Sequence, residues 1–141
     1  MDQFLTFAGN NWELFLALGV ILVLLYFNLA GQALRGYRRA SPTEATQLMN
    51  RENAVVVDVR EDNEFKQGHI LGAVHVPLGF LDKRINDLEQ YKDRPVIVSC
   101  RSGQRSARAA SVLKKHGFES VYNLEGGLQA WQNASMPVTK K

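Results

Sequence analysis

The chain has one cysteine among 141 residues, so no disulfide can close within it. A single thiol is kept free by a reducing compartment, and that is the compartment expected here. Charge is missing altogether from Leu14 to Leu34, and no Lys or Arg occurs before Arg35. The second absence argues against a cleavable secretory signal, which carries positive charge ahead of its apolar region. No polar face recurs along the apolar run, which argues against a helix half-buried in a soluble core. Aromatic residues do not interleave with basic ones, so nucleic acid is not the expected partner despite a net charge of +3. His69, His75 and His116 lack the spacing of metal ligands, and no metal or other cofactor is expected. Internal repeats and low-complexity tracts are absent too.

The uncharged run from Leu14 to Leu34 is mostly Leu, Val, Ile, Phe and Ala. At about 1.5 Å per residue such a helix reaches roughly 30 Å, the thickness of a bilayer's hydrocarbon core. Trp12 and Tyr26 stand where aromatic side chains meet headgroups. Arg35, Arg38 and Arg39 follow the run, and cations flanking a span stay on the cytoplasmic side. The expected organisation is a short extracytoplasmic tail at 1–13, a transmembrane helix at 14–34 and a basic juxtamembrane linker at 35–40. A single α/β domain at 41–138 follows, facing the cytoplasm. Residues 35–141 hold a net charge of +5, because Asp2 and Glu13 are the only charged side chains before them. A basic domain beside an anionic leaflet gains modest attraction.

Within the domain, Ser41-Pro42-Thr43-Glu44 is a helix start, with Ser41 as cap and Pro42 at the first helical position. That helix is expected to run to about Asn50. Ala54 to Val59 is an apolar, β-branched run of the buried-strand type. A short helical turn at 61–67, a brief strand at 73–76 and a helix at 80–91 come next. A strand at 95–99, a helix from Ser106 to His116, a strand at 120–124 and a helix from Gly126 through Trp131 complete the pattern. Strands separated by helices imply a parallel sheet covered on both faces.

The chemistry concentrates in Cys100-Arg101-Ser102-Gly103-Gln104-Arg105-Ser106, a tight loop between a core strand and a helix. Successive backbone N–H groups in such a loop turn inward as an anion-binding nest. The following helix adds its positive end, and Arg101 and Arg105 add full charges. All of these favour thiolate over thiol, so Cys100 is expected to be a nucleophile at neutral pH rather than a structural core cysteine.

This loop resembles the active-site loop of rhodanese-like sulfurtransferases. Asp58-Val59-Arg60 with Glu64-Phe65 and Gly68 to Ala73 is similar to the family's first signature, and Gly126 to Trp131 with Met136-Pro137-Val138 to its last. The chain as a whole resembles a single-domain member carrying an amino-terminal membrane anchor in a bacterial inner membrane. The resemblance implies a rhodanese-like fold, a five-stranded parallel sheet flanked by helices. It implies Cys100 as the sulfur carrier, with Arg101, Ser102, Gly103, Gln104 and Arg105 as the donor's cradle. Asp58 and Arg60 are expected to support the loop, as a structural ion pair before any catalytic role. His69 is expected to be a packed turn residue and Trp131 a core residue.

The expected activity is transfer of sulfane sulfur from thiosulfate or a persulfide to a thiol acceptor, without a cofactor. A cysteine phosphatase of related architecture places its arginine six positions after the cysteine. Here the interval from Cys100 to Arg105 is five, a cradle better sized for one sulfur than for a phosphate. A membrane-tethered adaptor docking to other inner-membrane proteins is the alternative of a different class, with Gly19, Ala30 and Gly31 permitting close helix approach.

Overall fold

The computed structural model describes residues 1–141, apart from the side chains of residues 32 and 33. It divides into two units, Met1–Arg35 and Gly36–Lys141. The first unit holds α1 (Asp2–Asn10) and α2 (Trp12–Arg35). Within it the Phe15 ring meets Phe4 and Phe7 edge-on, each with 6.4 Å between ring centroids. Trp12–Gly31 has a mean hydropathy of 2.4 with none of it buried, and is long and apolar enough to cross a membrane. Helix α1 was not foreseen in the sequence, where residues 1–13 read only as a tail.

The second unit begins with β1 (Arg38–Ala40), then α3 (Pro42–Arg51), β2 (Val55–Asp58) and α4 (Asp62–Gln67). The short strands β3 (His69–Ile70) and β4 (Val74–His75) precede α5 (Leu81–Arg84), which 3₁₀ turns flank on both sides. Strand β5 (Val96–Ser99), α6 (Gln104–Lys115), β6 (Val121–Leu124), α7 (Gly127–Asn133) and β7 (Val138–Thr139) complete it. The main sheet has five parallel strands in the order β1-β6-β5-β2-β4, and β3 pairs antiparallel with β7. The start of α3 is as expected: Ser41 Oγ accepts from the Glu44 N–H at 3.2 Å.

Period-two alternation divides the core. Val55 and Val57 of β2, with Val96, Val98 and then Cys100 along β5, pack with Leu81, Leu88, Ala109, Ala110 and Leu113 on one face. Val56 and Ile97 point the other way, to Ala45, Leu128 and Trp131. Trp131 is buried as expected, its indole N–H donating to the Pro137 carbonyl at 2.9 Å.

Two expectations require correction. Residues 38–40, expected inside a linker, are an edge strand of the sheet, with Arg39 opposite Asn123 and Ala40 opposite Leu124. Pairing along the open edge of β6 imposes this strand, because Arg-Arg-Ala carries no alternating apolar pattern of its own. The segment 80–91 is not one α-helix. Leu81, Ile85 and Leu88 are buried as their spacing suggested, but the backbone tightens to 3₁₀ from Ile85 to Tyr91. Asn86 and Asp87 there are poor formers of α-helix interior.

Candidate functional site around Cys100

From β2 the chain goes on to β4 at one edge of the sheet, and from β5 to β6 in the opposite direction. A crevice at the carboxyl ends of two such strands is where open α/β sheets bind ligands. Cys100 directly follows β5 and is 1 % exposed, its Cβ continuing the strand's inward alternation toward α6. Gly103, with φ of +107°, turns the loop so that its own N–H donates to Cys100 Sγ at 3.0 Å. A left-handed φ is where glycine is needed. Ser106 Oγ lies 3.3 Å from the same sulfur.

Burial by itself would push the Cys100 thiol up. The Ser106 hydroxyl and the backbone N–H groups of Ser106, Gly103 and Ser102 outweigh it, and the thiol is held below its ordinary value. Hydrogen bonds to the charged form do this directly, because they favour thiolate over thiol.

The closing Gly126-Gly127 pair belongs to this loop. The Leu128 N–H donates to the Cys100 carbonyl at 2.8 Å, and the Gln129 N–H to the Arg101 carbonyl at 3.2 Å. The start of α7 therefore sits directly against the cysteine loop, and a Cβ on Gly127 would stand 2.5 Å from the Cys100 carbonyl oxygen.

Of the other residues singled out from sequence, Arg101, Ser102 and Gln104 are exposed at the loop. Arg105 is not free. Its guanidinium forms a two-pronged pair with Glu64 of α4, Nη1 to Oε1 at 2.6 Å and Nη2 to Oε2 at 2.9 Å. The Arg105 hydrogen bond, set against partial burial and aided by the Glu61 N–H and the charges of Arg105 and Arg60, lowers the Glu64 carboxyl to about 2. Asp58 and Arg60 are buried together at the end of β2, with Arg60 Nη2 2.8 Å from Asp58 Oδ2 and donating also to the Gly68 carbonyl at 2.7 Å. His69 is buried and packed as expected, but in strand β3 opposite Thr139 rather than in a turn, its ring stacked on Phe65 and both nitrogens on backbone oxygens, of Phe65 and Lys141.

Sequence reasoning missed Glu64 as a partner of Arg105, Ser106 as a partner of the Cys100 sulfur, and Asn123 as the residue behind Ser106. Asn123 of β6 accepts from the Ser106 hydroxyl at 2.6 Å and donates to the Gly103 carbonyl at 3.1 Å. Nothing local marked Asn123. It reaches the loop only because β6 lies beside β5 in the sheet.

A model of the rhodanese-like domain matches residues 41–134. The chain belongs to the rhodanese family. Over 99 % of both chains it is 32 % identical to the YibN protein of Escherichia coli. It is 33 % identical to the thiosulfate sulfurtransferase GlpE of Glaesserella parasuis, across 72 % of this chain and 93 % of that one. The crystal structure of a rhodanese-related protein from Thermoplasma volcanium superimposes with a TM-score of 0.68 at 30 % identity, covering 74 % of this chain and all of that one. A Rhodopseudomonas palustris protein described as a possible tyrosine phosphatase superimposes with a TM-score of 0.67 at 27 % identity, covering 77 % of this chain and 89 % of that one. The five-stranded parallel sheet is thus the rhodanese-like fold expected from the sequence.

Proposed function

We propose that this rhodanese is a membrane-anchored sulfurtransferase that carries sulfane sulfur on Cys100. The observation that supports this most is the sulfur's own surroundings: a strand-end cysteine whose Sγ receives a loop N–H at 3.0 Å and whose acidity is raised by hydrogen bonds. The thiolate attacks the outer sulfur of thiosulfate or of a persulfide. The donor's sulfur–sulfur bond breaks, sulfite or a thiolate departs with the electron pair, and Cys100 holds a persulfide. A thiol acceptor attacks that outer sulfur and returns Cys100 as thiolate. Preorganised N–H groups stabilise the negative charge at both stages. No step in this sequence calls on a metal or organic cofactor.

Arg101, exposed beside the nucleophile, is the cation available to an anionic donor, while Arg105 positions α4 against α6 through Glu64. Commitment of Arg105 to a carboxylate also weighs against phosphate turnover, for which that guanidinium would have to face the cradle. Helix α2 is the single membrane span of an inner-membrane protein. Its trailing cations, Arg35, Arg38 and Arg39, hold residues 36–141 on the cytoplasmic side.

The test is an intact-mass spectrum of residues 36–141 after thiosulfate or a low-molecular-weight persulfide, a fragment of much the same extent as GlpE, which aligns over 93 % of its own length. A one-sulfur adduct on the parent and none on Cys100→Ser is expected. Absence of the adduct from the parent with every donor overturns sulfur transfer, and the tethered adaptor then becomes the leading reading.

A further inference from the structure

The Ser106 hydroxyl has one proton and two neighbours that want it. Its Oγ lies 2.6 Å from Asn123 Oδ1 and 3.3 Å from Cys100 Sγ. Asn123 is not free to turn away, because its Nδ2 donates to the Gly103 carbonyl at 3.1 Å. Reversing the amide would set two carbonyl oxygens against each other.

With Cys100 as a thiol the chain of bonds closes without conflict. The S–H donates to Ser106 Oγ, Ser106 donates to Asn123, and Asn123 donates to Gly103. With Cys100 as a thiolate the sulfur only accepts. Ser106 then has to swing its proton from Asn123 to sulfur, which strips Asn123 Oδ1 of its donor. Ser106 is fully buried and Asn123 is 7 % exposed, so water is poorly placed to substitute. A buried acceptor deprived of its donor is costly.

We propose that Asn123 restrains the ionisation of Cys100 by competing with it for the single hydroxyl proton of Ser106. Asn123 is then a positioning residue, acting on the nucleophile through Ser106. On ionisation the thiol proton goes to a base in solution, and apart from that loss only the Ser106 hydroxyl rotates. The idea deepens the reading of Cys100 as nucleophile and rests on it. Of the charged groups, Arg105 of α6 interacts with the Cys100 charge and is paired with Glu64, the Asp58–Arg60 pair lies at the end of β2 with Asp58 opposite Ser99, and Arg101 follows Cys100 in the loop. None of these is altered in the test.

The experiment follows iodoacetamide alkylation of Cys100 against pH in the full chain in detergent. Ser106→Ala removes the contested proton, and the midpoint rises. Asn123→Ala releases that proton to sulfur, and the midpoint falls by about half to one pH unit, the worth of one ordinary hydrogen bond. In the double variant Asn123→Ala has nothing to release, and the midpoint equals that of Ser106→Ala alone. Such a cycle isolates the coupling between the two residues. A role confined to holding the Gly103 carbonyl makes Asn123→Ala raise the midpoint, or move it equally in both backgrounds, and either result overturns the proposal. Asn123→Leu, which keeps more of the volume, carries the same test should the alanine variant fail to fold. Alkylation reads acidity alone: a parent that shows these shifts yet takes no sulfur from any donor refutes sulfur transfer and not this coupling.

Discussion

Replacing Glu64 by Gln leaves the Arg105 guanidinium without its carboxylate while barely changing shape. The Glu64 carboxyl is lowered from 4.5 to about 2, which corresponds to roughly 3 kcal/mol of preference for the ionised form in the folded protein. Side chains of the pair are 27 % and 34 % exposed, so solvent screening reduces that to about 1–2 kcal/mol of stability. The sign follows from the direction of the shift. A carboxyl depressed on folding contributes its full stabilisation above 4.5 and loses it as pH falls from there toward about 2. Urea unfolding of residues 36–141 should therefore show Glu64→Gln less stable than the parent by about 1–2 kcal/mol at pH 7. The gap should narrow steadily below pH 4.5. A difference under about 0.5 kcal/mol at pH 7, the range of an ordinary surface change, would refute the argument. So would a gap of undiminished size at the lowest pH where the parent still folds.

Asp58→Asn breaks a buried pair and leaves Arg60 uncompensated, so a loss of about 3–5 kcal/mol is expected by the same urea assay. A loss below about 1 kcal/mol would mean the pair is not structurally required. Gly127→Ala places a Cβ 2.5 Å from the Cys100 carbonyl at a φ of +60°. The loop must then shift, and the expected result is a protein less stable by about 1–3 kcal/mol whose Cys100 alkylates with a higher midpoint. Normal stability together with an unchanged midpoint would show that α7 does not brace the loop. Arg101→Gln should slow loading from thiosulfate by about tenfold or more, and loading from a neutral persulfide much less, because a charge-assisted contact is lost only with the anion. Equal slowing with both donors would remove Arg101 from donor binding.

Features set by neighbouring residues were legible in the chain itself. An uncharged run made α2, a Ser-Pro pair started α3, and β-branched runs made β2 and β5. Cys100, with a glycine and a helix close behind it, read as an acidic thiol because the groups that lower it, Ser102, Gly103 and Ser106, lie inside seven consecutive residues. What the pattern did not contain was any contact whose partners are distant along the chain. Arg38–Ala40 became a strand because β6 offered unpaired backbone groups, not because its side chains alternate. Arg105 looked free to bind an anion until the packing of α4 beside α6 brought Glu64, 41 residues away, to its guanidinium. Asn123 entered the site across 17 residues, through the adjacency of β5 and β6. Local composition accounts for a Cys100 thiol held below its ordinary value. Which side chains hydrogen-bond around its sulfur, and that Arg105 is paired with a carboxylate, were decided only when the tertiary structure placed β6 beside β5 and Glu64 beside Arg105.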